Sequence, residues 1–394
     1  MTVPVRRDAG VTVPAGFRAA GVAAGIKASG VLDLALVVND GPRDAAAGVF
    51  TRNVVKAAPV LWSQEVLKQR RLRAVVLNSG GANAATGPGG FQDAHATAEK
   101  VAEVLGSGAI EVAVCSTGLI GERLPMPALL SGVDSVAAAL AGSAGAGLDA
   151  ATAVMTTDSV PKQAAAEHPG GWRVGGFAKG AGMLAPNLAT MLSVLTTDAE
   201  VEPEVLDRAL RAATAVTFDR LDVDGGTSTN DTVLVLASGA SGIRPDEAAL
   251  TEALTAVALD LVLQLRADAE GATKDVDVVV TGAESTDDAI AVARTVAEDN
   301  LVKTALFGSD PNWGRIAMAL GRAAARIDPD LVSIAINGIT LFAKGTTAAD
   351  RSEADLSGRA VEIVIDLGLG EAGTTVYTTD LSHGYVEENS AYSS

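Results

Sequence analysis

Apolar residues recur along this chain with two periods. Between residues 246 and 270 they fall at Leu250, Leu254, Val257, Leu261 and Leu265, spacings of three and four that draw one stripe down a helix. The same pattern predicts helices over Pro203–Val216 and Thr286–Ala297, over 91–105, and over the alanine-rich stretches 127–140 and 148–155. Ser63 is a candidate cap for a short helix running to residue 71. Short apolar runs between turn residues predict strands at 32–38, 46–50, 73–77, 110–114, 172–178 and 191–195. Toward the C-terminus, runs at 331–336 and 339–343 flank Asn337-Gly338, a strong hairpin signal. The runs at 361–367 and 374–379 read as a second strand pair.

Helices and strands both occur throughout, so the fold class expected is α/β, an α+β sandwich. With 394 residues there is ample length for a core and for two or three domains. A smaller C-terminal α/β domain is expected over about 281–394, with 190–280 completing a larger catalytic domain. The net charge is −18, and its acidic residues are spread along the chain. This argues against a nucleic-acid partner, which would want a basic patch. A single cysteine, Cys115, allows no intramolecular disulfide. The N-terminal arginines are not followed by an apolar run of signal-peptide length. No uninterrupted apolar stretch reaches membrane-spanning length. A cytoplasmic location without membrane attachment is therefore expected.

Metal chemistry has little to rest on. There is no H-x-x-x-H or C-x-x-C pattern, and His95, His168 and His383 are far apart. The segment 221–231, LDVDGGTSTND, is dense in oxygen ligands but lacks calcium-loop spacing. No metal and no cofactor are expected.

The stretch of greatest chemical interest runs from Trp172 to Thr197. A strand leads into Gly180, Gly182 and Pro186-Asn187, and Thr190 opens the next apolar run. Read blandly, this is a strand pair joined by a turn. A threonine hydroxyl is a poor nucleophile without a base, but cleavage of the chain before it would make its own α-amine that base. Such an amine has a pKa of about 8, so a useful neutral fraction exists near neutrality. Two further features lie elsewhere. Glycine-rich loops follow the predicted strands at 78–84 and 115–121, and the second, with Thr117-Gly118, could aim a hydroxyl and an N–H at one point. Glu270 closes the helix predicted over 246–270, where a carboxylate opposes the macrodipole, unless it pairs with Arg266.

The segment from Lys179 to Leu192, KGAGMLAPNLATML, resembles the self-cleavage segment of the ornithine acetyltransferase (ArgJ) family. Other family-like stretches, such as Ser309–Arg315, extend the resemblance to the last residue. It implies a DmpA/ArgJ-like self-cleaving fold, cut between Ala189 and Thr190 into chains of 1–189 and 190–394. Thr190 would be the nucleophile, and Thr117 and Gly118 the oxyanion hole. Substrate contacts would come from a threonine at 156 or 157, taken as Thr156, and from Lys179, Thr190, Glu270, Asn389 and Ser394. The implied reaction moves acetyl from N2-acetyl-L-ornithine to L-glutamate through an acetyl-Thr190 intermediate. Lys179 would suit the α-carboxylate that both substrates carry. Some family members also take acetyl-CoA, so it stays open here as a second acetyl donor. The two chains would associate, as two of each.

Two other readings compete. A self-cleaving aminopeptidase or amidase would use the same nucleophile with water as acceptor, and a ligand-binding protein would use the glycine-rich loops only to hold an anion. The C-terminal stretch 380–394 is polar and ends in small residues, a composition that usually frays. The resemblance instead implies that it is ordered and reaches the substrate.

Overall fold

The structure, a computed structural model, describes residues 3–184 and 191–391. Among these residues the fold mixes helices with three sheets of six, six and four strands, as the patterning predicts. Contacts divide the chain into two units, 1–219 with 227–265, and 220–226 with 266–394.

In the first unit a six-stranded sheet runs in the order Val5–Arg6, Lys162–His168, Trp172–Lys179, Leu192–Thr197, Thr232–Ala237, Ala45–Phe50. Trp172–Lys179 and Leu192–Thr197 are antiparallel neighbours, with Lys179 opposite Leu192. Leu192–Thr197 then pairs in parallel with Thr232–Ala237, with Leu192 opposite Thr232. A four-stranded sheet has the order Phe17–Val22, Leu34–Asn39, Ala74–Ser79, Val112–Thr117, and its last two strands are parallel. Leu34–Asn39, Ala74–Ser79 and Val112–Thr117 are buried along their whole length, so the alternation read over 110–114 does not mark an exposed face, whereas Phe17–Val22 is half-exposed at Arg18, Gly21 and Val22. One hydrophobic core draws on both sheets and on helices Gly87–Leu105, Met126–Ala138 and Ala144–Ala153.

Helix boundaries follow local chemistry. Pro203–Val216 starts with a proline in its first turn, where the missing N–H costs nothing. Gly87–Leu105 ends at Gly106, in the left-handed region at φ +64°. Ser63 does not cap a helix: Ala58–Val66 begins earlier, with Pro59 in its first turn, and Ser63 lies buried inside it. Its hydroxyl instead bonds both backbone groups of Val114, donating to O at 2.7 Å and accepting from N at 2.9 Å. Helix Glu247–Ala267 is long and apolar enough to cross a membrane by length and composition. Its predicted stripe, Leu250, Leu254, Val257, Leu261 and Leu265, is buried in the protein.

The second unit is built on a six-stranded sheet, Thr346–Thr347, Ile339–Ala343, Ser333–Ile336, Ala360–Asp366, Asp275–Ala283, Ala372–Thr379. The Asn337-Gly338 hairpin is present. The expected pairing of the last two strands is not. Asp275–Ala283 lies between them, parallel to Ala360–Asp366 and antiparallel to Ala372–Thr379. Its Val276, Val278 and Val280 face the core while the intervening positions are half-exposed or exposed. This strand belongs to the second sheet, and the unit comprises 220–226 with 266–394, where the sequence reading set a smaller domain over about 281–394. The C-terminal segment is helical over His383–Ala391.

Candidate active site

Thr117 ends the strand Val112–Thr117, and its carbonyl accepts from Gly81 N at 3.0 Å. Gly118 follows with φ +132°, and a Cβ there would lie 2.5 Å from Gly81 N. Only glycine allows the two loops to approach this closely. Three buried polar side chains lock the arrangement. Ser116 Oγ donates to Asn78 Oδ1 at 2.6 Å, and Asn78 Nδ2 donates to Gly81 O at 3.1 Å. Asn230 Nδ2 donates to Ala82 O at 2.6 Å and Ser116 O at 2.8 Å. The loop after residue 78 is thus held against the turn at 116–118.

Lys179, at the end of Trp172–Lys179, is 1% exposed, so it is not a solvated lysine. Its Nζ donates to Thr156 Oγ1 at 2.8 Å and to Thr117 Oγ1 at 3.3 Å. Three residues singled out from the sequence, Thr117, Thr156 and Lys179, therefore meet at one ammonium. A buried charge needs a counter-charge, and Asp158 supplies it. Its carboxylate lies 3.8 Å from Lys179 Nζ and 2.6 Å from Lys162 Nζ, and accepts from Gly180 N at 2.6 Å and Thr156 N at 3.0 Å. Burial alone would push the Asp158 carboxyl up, but Lys179 and Lys162 outweigh it and hold the pKa at about 2. Burial pulls the Lys179 ammonium below its ordinary value, partly offset by Asp158. Lys27, half-buried, donates to Met155 O at 2.6 Å beside Thr156.

Asp231 is fully buried at the start of Thr232–Ala237. Its Oδ1 accepts from Met191 N at 2.9 Å. Burial pushes this carboxyl well above the usual carboxylate range, against the opposing pull of the Met191 N–H and Lys179. Thr190 and Ala189, and with them the expected cleavage site, lie outside the described residues. Cys115 is no competing nucleophile, since burial raises its thiol to about 12 and leaves essentially no thiolate near neutrality.

In the second unit Asn389 Nδ2 donates to Glu270 Oε2 at 2.8 Å and to Tyr385 O at 2.9 Å. The Tyr385 hydroxyl donates to Asp224 Oδ2 at 3.2 Å. Two residues expected to act together, 119 positions apart, are thereby joined. Ser394 lies outside the described residues. Glu270 does not close a helix, because Glu247–Ala267 ends three residues before it. The macrodipole argument for its role therefore lapses, as does a pairing with Arg266, which bonds Asp277 instead. The turn is forced by Gly271 at φ +60°, where a Cβ would lie 2.1 Å from Tyr385 N.

Sequence reading missed Asp158, Lys162, Asn230 and Asp231. For Asp158, Lys162 and Asp231 the signal was charge inside otherwise apolar or small-residue stretches, as in Asp158-Ser-Val-Pro-Lys162 ahead of an alanine run; Asn230 had none. The oxygen-rich segment 221–231 is divided between the units at residue 226. Its oxygens serve turns and loop anchors, with Gly225 N bonded to Asp222 and Gly226 N to Asp224.

A sequence profile of the ArgJ family matches residues 18–394. The chain is 66% identical over 393 residues to the arginine biosynthesis bifunctional protein ArgJ of Mycolicibacterium paratuberculosis, covering 98% of this chain and 97% of that one. It is 59% identical over 384 residues to the protein of the same description from Streptomyces coelicolor, covering 98% of this chain and all of that one, 100%. A solved ornithine acetyltransferase from Mycobacterium tuberculosis, complexed with ornithine, is 68% identical over 48% of this chain and 100% of its own, with a TM-score of 0.47.

Proposed function

Because the chain belongs to the ArgJ family, and is an acyltransferase of arginine biosynthesis, we propose that it moves acetyl from N2-acetyl-L-ornithine to L-glutamate through Thr190. In the precursor the Thr190 hydroxyl attacks the Ala189 carbonyl, and water hydrolyses the resulting ester. This frees the Thr190 α-amine. In the mature enzyme that amine takes the hydroxyl proton while Oγ attacks the acetyl carbon of the donor. Thr117 Oγ and the Gly118 N–H hold the oxyanion. Ornithine leaves with the proton, and the amine of glutamate attacks the acetyl-enzyme. The description of the relatives as bifunctional supports acetyl-CoA as a second donor to the same hydroxyl. No cofactor enters these steps. The chains 1–189 and 190–394 remain associated, as a tetramer of two of each.

The observation that carries this reading is the buried Lys179 ammonium bonded to both Thr117 and Thr156. A hydroxyl that accepts from Lys179 has its own hydrogen free to donate elsewhere. A cation 3.3 Å away strengthens that donation in a dry site. Glu270 and Asn389 are the proposed contacts to the amino-acid portion, with Ser394.

Intact mass and N-terminal sequencing of purified protein test the cleavage, with a second chain starting at Thr190 expected. Acetylornithine supplied without glutamate should leave one acetyl group on that chain, and glutamate should remove it as N-acetylglutamate. A single uncut chain with full transferase activity would sink the reading, as would acetate as the main product in the presence of glutamate.

A further inference from the structure

A second ammonium stands beside the Lys179 cluster. Lys27 is half-buried, and its Nζ donates to Met155 O at 2.6 Å, next in the chain to Thr156, whose hydroxyl accepts from Lys179. Burial pulls this ammonium below its ordinary value, partly offset by Asp33 and Asp158. The backbone that carries it is fixed by Asp33, which is fully buried. Asp33 Oδ1 accepts from Ala24 N at 2.6 Å, and Oδ2 accepts from Ile26 N at 2.7 Å and Lys27 N at 2.8 Å.

The stem of Lys27 lies on the glycine-rich loop that faces the oxyanion turn. Gly80 has φ +104°, and a Cβ there would lie 3.1 Å from Lys27 Cγ. A Cβ at Gly118 would lie 2.8 Å from the carbonyl carbon of that same Gly80. Contacts therefore run from Gly118 through Gly80 to Lys27, and from Lys27 through Met155 and Thr156 to Lys179 and Thr117.

Donor counting separates the two lysines. An ammonium has three N–H bonds and no acceptor. Lys179, 1% exposed, is committed to Thr156, Thr117 and the carboxylate of Asp158. Lys27 has Met155 O as its one hydrogen-bond acceptor among the described residues, so two N–H bonds remain. A tether to Met155 needs only one of the three, and half-burying a charge is costly unless something pairs with it. Substrate chemistry says what that is. In an N-acetyl amino acid the carboxylate carbon is three bonds from the acetyl carbonyl carbon, at most about 4 Å away. A donor whose carbonyl oxygen sits at Thr117 and Gly118 therefore brings its α-carboxylate to the same turn, within reach of a flexible lysine side chain.

We propose that Lys27 binds the α-carboxylate of the acetyl donor and, once the first amino acid has left, that of the acceptor. The proposal rests on the acetyl-transfer reading above and adds to it the residue that makes a free α-carboxylate a requirement of both half-reactions. One fixed cation serves both, because donor and acceptor share the nitrogen, Cα and carboxylate and differ beyond them. Lys179 keeps the separate work of orienting the hydroxyls of Thr117 and Thr156.

The test compares N2-acetyl-L-ornithine with its α-carboxamide as acetyl donors, in wild type and in Lys27→Met. Wild type should favour the carboxylate by about thirtyfold or more in kcat/KM, the size expected when a desolvated charge pair loses one partner. In the processed variant that preference should collapse toward unity, through a higher KM for acetylornithine with kcat little changed. Lys27→Arg should restore part of it. Loss of a mere tether to Met155 would slow both donors alike and leave the preference as in wild type, which overturns the proposal. If Lys27→Met does not fold, the wild-type enzyme decides. Reductive methylation, read at Lys27 by peptide mass, should be blocked by saturating L-glutamate and not by its α-amide. Equal protection by both, or by neither, overturns the proposal. A wild-type enzyme that transfers no acetyl from acetylornithine to glutamate overturns the reading beneath as well, whereas active transfer with an unchanged preference in Lys27→Met overturns this proposal alone.

Discussion

Asp158 and Lys162 face each other at 2.6 Å with both side chains fully buried, and the same carboxylate balances Lys179. A buried ion pair adds little net stability, but breaking one by removing a single partner is costly. Asp158→Asn would take a carboxylate away from two buried ammonium groups. The expected loss is about 3–5 kcal/mol, read by chemical denaturation, with transferase activity falling further because Lys179 loses its anchor.

The same carboxylate makes stability depend on pH. Its folded pKa is depressed, to about 2 from 3.8, so its contribution is present above the unfolded value and lost as pH falls through the folded one. Stability on the order of 2 kcal/mol should disappear between about pH 5 and pH 2. Denaturation midpoints of wild type across that window check it. Other carboxylates add to the wild-type slope, so the quantity to read is the difference from Asp158→Asn, which should narrow as pH falls.

Thr117→Ala removes a hydroxyl that accepts from Lys179 and is 2% exposed. Loss of one oxyanion donor typically costs about 10²–10³ in rate. Both self-cleavage and acetyl transfer should slow, because one carbonyl oxygen is stabilised in each. A rise in the KM for acetylornithine with kcat intact would move Thr117 from the chemistry to substrate binding.

Gly118→Ala meets two obstacles, a φ of +132° and a Cβ placed 2.5 Å from Gly81 N. The backbone must shift, and the N–H of residue 118 shifts with it. The variant should fold with reduced stability and be slower than Thr117→Ala in cleavage, which a time course of chain separation on a gel would measure. Cleavage at the wild-type rate would remove Gly118 from the oxyanion hole.

Deleting residues 388–394 removes Asn389 and leaves Glu270 without that bond. Helix His383–Ala391 has no buried residues, so the loss of stability should be small. Self-cleavage should persist while transfer to glutamate drops sharply. Unchanged kcat/KM for both substrates would strike Asn389 and Ser394 from the substrate contacts.

What the chain determined by itself was mostly local. Helices Pro203–Val216 and Thr286–Ala297, the Asn337-Gly338 hairpin and the buried stripe of Glu247–Ala267 follow from periodicity and turn chemistry within one window of sequence. Thr156 and Lys179 were named from a resemblance, and Thr117 from a resemblance together with the strand-ending turn that could aim its hydroxyl. Only the tertiary structure decided that they share one ammonium, because strands that end near residues 117 and 179 belong to different sheets. Strand order was likewise out of reach: nothing in 361–367 or 374–379 says that Asp275–Ala283 will come between them, since pairing is chosen by packing across the whole sheet. The charges of Asp158, Lys162 and Asp231 looked like ordinary surface residues. Burial, which no single window encodes, turned them into a counter-ion, its second partner and a carboxyl raised well above the usual range.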